Sequence, residues 1–197
     1  MIYLEPEVIK QAQKGDTEAF TQMVEAYQRP VFNLCYRMLG EHEEAEDAAQ
    51  ETFLRAYDNL KRYDEERSFS TWILSIAAHY CIDQLRKRRL TFLSMDSFPN
   101  LDIPDAKPGP EAAYHRHEEQ QRVQALLKAL NPQDRGAVVL YYWYDFSYDE
   151  IAESLSLTVS AVKSRLHRAR LALAQTWTEQ EAKKYAAERK QHESPAL

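Results

Sequence analysis

The sequence predicts an all-α protein built from two small helical domains joined by a flexible, proline-rich linker. Three observations carry that expectation. Apolar residues recur over most of the chain at the i, i+3, i+4, i+7 spacing of helices buried on one side. Only four glycines occur in 197 residues, too few for the turns of an all-β fold. The helical periodicity stops between Leu90 and Pro110, where Pro99, Pro104, Pro108, Gly109 and Pro110 gather among acidic and small residues. That is the composition of a tether without a core of its own.

The elements follow in order. Phe20, Met23, Val24, Tyr27, Val31, Leu34, Cys35 and Met38 form one helical stripe, which Pro30 is expected to kink or split and which Gly40 ends as a C-cap. A second helix carries Ala45, Ala48, Ala49, Thr52, Phe53, Ala56 and Leu60 inward, mostly small residues that permit close packing. After a polar turn from Tyr63 to Ser68, a third helix spans Ser70 to Arg89 with Trp72, Ile73, Ile76, Ala77, Tyr80 and Leu85 facing in. Residues 8–90 are expected to form the first domain, 91–110 the linker and 111–176 the second domain. In the latter, Val123, Leu126, Leu127 and Leu130 restart the periodicity. Asn131 and Pro132 then supply an N-cap and a first-turn proline for a helix carrying Ala137, Val138, Leu140 and Tyr141. The charged stretch 177–197 reads as a tail that frays or stays disordered.

Composition narrows the function classes. Apolar residues make up 44% and charged residues 28%, with a formal net charge of −6, so any contact with a polyanion must come from local basic patches. No apolar run is long enough to cross a bilayer, and Met1 to Glu7 lacks the features of a signal peptide, so a cytoplasmic protein without membrane insertion is expected. Cys35 and Cys81 lie on apolar stripes without metal-ligand spacing and read as reduced core thiols, with a redox switch as the lesser alternative. No catalytic constellation, metal site or cofactor is expected.

Ser147-Tyr148-Asp149-Glu150 has the S-x-x-E form of a capping box and opens a short helix with Ile151, Ala152 and Leu155 inward. Ser156 to Thr158 form a turn. No glycine is present there, so Ser156 or Leu157 must take a left-handed conformation. Thr158 then caps a helix whose Val159, Val162, Leu166, Ala169 and Leu173 pack inward, leaving Ser160, Ala161, Lys163, Ser164, Arg165, His167 and Arg168 outward. Phe146 to Arg170 thus reads as a helix-turn-helix in the C-terminal domain. Small residues near the start of its second helix allow close approach to a DNA major groove, where Lys and Arg reach phosphates or guanine edges.

In the N-terminal domain, Glu43, Asp47 and Glu51 recur every four residues with Gln50 beside them, stacking like charges on one helix face. The stripe is either a solvated surface or the docking face for a basic partner. The third helix opens with Phe69-Ser70-Thr71-Trp72 and ends in Arg86-Lys87-Arg88-Arg89, with Ser75, His79 and Asp83 on its polar face. Aromatics and cations together suit unstacked bases beside a phosphate backbone, although Trp72 and Tyr80 fit equally well in a core.

In combination, the segments 47–51, 69–72, 86–89, the linker and Val162 to Arg170 resemble the extracytoplasmic-function sigma factors of bacteria, over residues 8 to 176. The resemblance implies that Asp47, Gln50 and Glu51 dock on core RNA polymerase. It implies that Phe69, Ser70, Thr71, Trp72, Ser75, His79, Asp83 and Arg86 to Arg89 melt and hold the minus-ten element of promoter DNA. The seven outward residues of the last helix would recognise the minus-thirty-five element as duplex. An anti-sigma factor is implied as a further partner. The chain departs from the family pattern at His79, where many members carry Asn, and in its glycine-free turn. Two other classes are weighed: a stand-alone helix-turn-helix regulator with a dimerising or sensing N-terminal domain, and a metal-dependent nucleotide hydrolase built on the acidic helix.

Overall fold

The computed structural model describes residues 4–94 and 111–192, so most of the expected linker and the last five residues of the tail lie outside the described residues. Eight α-helices run in order among them: α1 (Pro6–Gln13), α2 (Thr17–Leu39), α3 (His42–Asn59), α4 (Phe69–Ser94), α5 (Glu111–Lys128), α6 (Pro132–Tyr144), α7 (Tyr148–Ser154) and α8 (Val159–His192). The described chain contains no strand.

Local chemistry explains the boundaries. Asp16 caps α2 by accepting from the backbone N–H groups of Glu18 and Ala19 at 2.9 and 3.1 Å, and Gly40, at φ +90°, ends it. Pro30 does not split this helix, which runs unbroken from Thr17 to Leu39. The flanking residues Tyr27, Val31 and Leu34 are all buried, and their packing outweighs the one hydrogen bond a proline removes. Helix α1 was not anticipated, because its apolar residues Val8, Ile9 and Ala12 are too few to form a periodic pattern. The start of the expected tail at 177 lies within a helix. Helix α8 continues through that point, with the Trp177 ring 3.5 Å from the Arg122 guanidinium of α5 and Glu181 paired with the same arginine.

The N-terminal domain packs α1 and α3 around α2 and α4, with Met23, Leu34, Met38 and Ile73 wholly buried and Ala45, Ala48 and Ala56 letting α3 approach closely. The C-terminal domain packs α6, α7 and α8 around Leu140, Ile151, Val162 and Leu166. The two domains also lie face to face in one continuous apolar core, which nothing in the periodicity announces.

That interface has a physical logic. Side chains of the other domain reach the last turn of α2, where helix carbonyls run out of intrahelical donors and where the Tyr36 carbonyl also accepts from the Gly40 N–H at 2.9 Å. Gln124 Nε2 donates to the Tyr36 carbonyl at 3.1 Å. Arg135, only 5% exposed, donates from Nη1 to the Met38 carbonyl at 2.5 Å and from Nη2 to the Leu130 carbonyl at 3.4 Å. A cation at two helix C-terminal ends is placed where the helix dipoles favour it. Burial, with Arg88 nearby, still pushes its pKa down to about 10. Tyr144 donates to the Pro30 carbonyl at 2.6 Å, and Arg67 pairs with Glu153 at 2.7 Å. Gly136 permits the close approach: a Cβ there would lie 3.3 Å from Ile82 Cδ1 and 3.7 Å from Met38 Cε.

Candidate nucleic-acid interface

The helix-turn-helix forms as its sequence dictates. The backbone N–H of Ser147 donates to Glu150 Oε2 at 2.8 Å, while Ser147 Oγ accepts from the Glu150 backbone at 3.2 Å, a complete capping box on α7. Ser156 takes the left-handed conformation at φ +53°, in the place where glycine is missing. The turn is held by Leu157 N–H donating to the Ala152 carbonyl at 2.8 Å. Thr158 Oγ1 accepts from Ala161 N–H at 3.2 Å and starts α8.

Buried Val162, Leu166 and Ala169 fix the rotation of α8. Ser160, Lys163, Ser164, His167 and Arg168 are therefore exposed along one face, with Ala161 partly covered. Arg165 differs from its neighbours. Its side chain is 21% exposed and turns back onto α6, where it meets Asp134 at 2.8 Å and Gln133 at 2.5 Å. Aromatic residues border this face: Lys163 lies over the Tyr148 ring at 5.8 Å, and Arg170 donates to the Tyr142 hydroxyl at 3.0 Å.

On α4 the structure divides the expected minus-ten residues. Phe69 is buried against the rings of Tyr27, Tyr63 and Trp72, with centroids 5.1, 5.5 and 5.4 Å away, so it is a core residue and not an open stacking surface. Ser70 Oγ and the Tyr27 hydroxyl are hydrogen-bonded at 2.7 Å. Thr71, 6% exposed, is covered by α7, with its hydroxyl 3.5 Å from Glu150 Oε1. Trp72 is half-buried. Further along, Ser75 Oγ donates to the Trp72 carbonyl at 2.7 Å, and the His79 ring lies 3.0 Å from the Ser75 carbonyl. His79, Asp83, Arg86, Lys87 and Arg89 are exposed, Asp83 and Arg86 within 3.7 Å of each other, whereas Arg88 pairs with Glu44 of α3.

Sequence reasoning passed over a cavity of about 370 Å³ between the end of α3 and the polar face of α4. Arg55, Asn59, Arg62, Trp72, Ser75, Ile76 and His79 line it, combining one aromatic edge, cations and amide or imidazole groups able to bond a base. Asn59 and Arg62 sit where α3 gives way to a 3-10 turn (Leu60–Arg62), a region the periodicity treats only as an ending.

The acidic stripe is confirmed as a surface, with a change in its charge. Glu43, Asp47 and Gln50 are exposed, but Glu51 accepts from Arg55 Nε at 2.7 Å, which relieves the expected repulsion at that end. Leu54, 63% exposed, extends the same face and was not anticipated. Cys35 and Cys81 are buried; hydrogen bonding to Cys35 and burial push the Cys81 thiol well above its ordinary pKa, which disfavours the reactive thiolate. Among the described residues no cluster of His, Cys, Asp and Glu is arranged to hold a metal ion, and no helix is long and apolar enough to cross a membrane.

Two helical domains thus carry separate candidate surfaces, an acidic face and a cavity of about 370 Å³ beside Trp72 on one, and a helix-turn-helix exposing Lys163, His167 and Arg168 on the other. Comparison with known proteins gives the class: the sigma-70 region 2 family profile matches residues 23–91, and the sigma-70 region 4 profile matches residues 120–173. The chain is 39% identical over 173 residues to the ECF RNA polymerase sigma factor SigW of Bacillus subtilis, covering 84% of this chain and 92% of that one. Its fold is that of CnrH in complex with the cytosolic domain of CnrY, at a TM-score of 0.67 and 24% identity over 88% of this chain and 97% of that one. It also matches the sigma factor RpoE in complex with the anti-sigma factor NepR from Bartonella quintana, at a TM-score of 0.62 and 22% identity over 81% of this chain and 96% of that one. The chain belongs to the ECF family of RNA polymerase sigma factors. Such proteins bind core polymerase and direct promoter recognition and initiation; they are recognition subunits and not enzymes. Neither the stand-alone regulator nor the nucleotide hydrolase is favoured.

Proposed function

We propose a division of labour along this chain, with residues 8–90 docking on core polymerase and opening the minus-ten element and residues 111–176 reading the minus-thirty-five element. Asp47, Gln50 and Glu51, extended by Leu54, present an acidic face with an apolar end to a basic surface of the polymerase. His79, with Asn59 and Arg62, receives a base flipped from the non-template strand into the cavity beside Trp72. Arg86, Lys87 and Arg89 follow the phosphates. Ser160, Lys163, Ser164, His167 and Arg168 face the duplex groove. The protein works in the cytoplasm beside polymerase, and an anti-sigma factor binding across the two domains would restrain it.

The observation that supports the minus-ten assignment best is the cavity, whose walls offer stacking and hydrogen bonding together. Stacking and base-edge contacts are worth about 1–3 kcal/mol per base. In holoenzyme, Asn59→Ala and His79→Ala should each weaken binding of a single-stranded minus-ten oligonucleotide roughly tenfold while leaving core binding intact, measured by fluorescence anisotropy. Equal binding by wild type and both variants would remove the cavity from the reading.

A further inference from the structure

Arg165 has the sequence position of a base reader but the geometry of a strut. Its partner Asp134, the third residue of α6, is 4% exposed. The Asp134 backbone N–H donates to Asn131 Oδ1 at 2.9 Å, and its carboxylate accepts from Asn131 Nδ2 at 2.6 Å. The same carboxylate accepts from Arg165 Nη1 at 2.8 Å and has Arg168 Nη2 at 3.7 Å. Arg165 Nη2 is taken by Gln133 at 2.5 Å, and its buried Nε has no partner among the described residues. A guanidinium reads guanine by offering two N–H groups to one base edge. Here one N–H of each Nη is already committed to α6, and only 21% of the side chain is exposed.

Arg168, one turn further along α8, is different. Its side chain is 59% exposed and only tethered at its tip, so it remains free to meet a phosphate. One buried carboxylate thus treats two arginines of one helix face unequally. We propose that Asp134 is a specificity-determining positioning residue: it withdraws Arg165 from DNA and aims Arg168 along the backbone. Discrimination of the minus-thirty-five element is thereby left to Ser160, Lys163, Ser164 and His167. The inference rests on the reading of α8 as the minus-thirty-five helix. Its physical basis is that surplus cations on a recognition face raise affinity for every sequence alike and so dilute selectivity.

The test uses holoenzyme, a promoter duplex selected by that holoenzyme from a random-sequence library, and the same duplex with the minus-thirty-five element scrambled. Asp134→Asn keeps the shape and removes the charge. The logarithmic salt slope of binding should steepen by about 0.9 for each additional phosphate neutralised. Preference for the selected over the scrambled duplex should fall several-fold, because the scrambled duplex is bound more tightly. Simple destabilisation would weaken both duplexes instead, and that outcome overturns the proposal, as do an unchanged slope and preference. Adding Arg165→Gln to Asp134→Asn should return the slope toward wild type. If Asp134→Asn does not fold, Arg165→Gln alone decides: a slope equal to wild type supports the strut, and a slope reduced by about 0.9 marks a direct phosphate contact and refutes it. A wild-type holoenzyme indifferent to scrambling would overturn the assignment of α8 itself, a separate failure.

Discussion

Gly136 offers the cleanest way to separate the two domains without damaging either. It sits inside α6 where that helix crosses Ile82 of α4 and Met38 of α2. An added Cβ would stand 3.3 Å from Ile82 Cδ1, a contact the flexible end of that side chain can relieve by a few tenths of an ångström. Gly136→Ala should therefore be neutral or mildly stabilising, since alanine is better than glycine inside a helix by about 0.5–1 kcal/mol. Gly136→Val extends two methyl groups beyond that Cβ into a filled core. Overpacking of this kind costs about 1–3 kcal/mol, and the cost falls on the interface, because α6 itself tolerates valine better than glycine. A loss of about 2 kcal/mol shifts the closed-to-open equilibrium about 30-fold, using 1.4 kcal/mol per tenfold change. The assay is small-angle scattering with hydrogen exchange on the full chain. Gly136→Val should enlarge the radius of gyration and deprotect the first turn of α4, where Thr71 lies beneath α7, while Gly136→Ala changes neither. Scattering and exchange profiles identical to wild type for Gly136→Val would refute the inference that this close approach holds the domains together.

Two further outcomes follow from local chemistry. Ser147→Ala removes the capping box of α7 and should cost about 1 kcal/mol, read as a lower midpoint in thermal unfolding. Undiminished stability would show that the cap is idle. In alkaline titration, the Tyr63 hydroxyl, pushed up to about 12 by burial, and those of Tyr27 and Tyr144, raised chiefly by the same cause, should ionise after the exposed tyrosines. An unfolded tyrosine ionises near pH 10, so between pH 10 and 12 the unfolded chain binds fewer protons than the folded one. The stability present below pH 10 is lost as pH rises through that window. Ultraviolet phenolate absorbance should lag until unfolding, and a single transition of all twelve tyrosines near pH 10 would contradict the burial.

Much of this arrangement is legible in the sequence because it is local. The S-x-x-E box, Thr158 before α8 and the spacing of Val162, Leu166 and Ala169 each act within one or two helical turns, and each appears as expected. Even the missing turn glycine has its consequence at Ser156. What stays hidden depends on distant partners. Nothing near Arg135 in the chain marks it as buried; its partner at the α2 C-terminus lies 97 residues earlier. Arg165 reads as a DNA contact because an outward-facing position on a helix does not reveal a buried aspartate on its neighbour. Phe69 reads as a stacking surface because its ring partners come from α2 and the turn before α4. Pro30 is the converse case, a proline inside a helix left unbroken because Tyr27, Val31 and Leu34 around it are buried.

The most direct measurement is run-off transcription with purified core polymerase on a promoter duplex selected by the holoenzyme, with core binding measured in parallel. Wild-type protein should bind core and start transcripts at one position, and an Asp47→Ala, Glu51→Ala variant should lose both core binding and initiation while keeping its helical content. A wild-type chain that neither binds core polymerase nor supports initiation on any selected duplex would contradict the central claim.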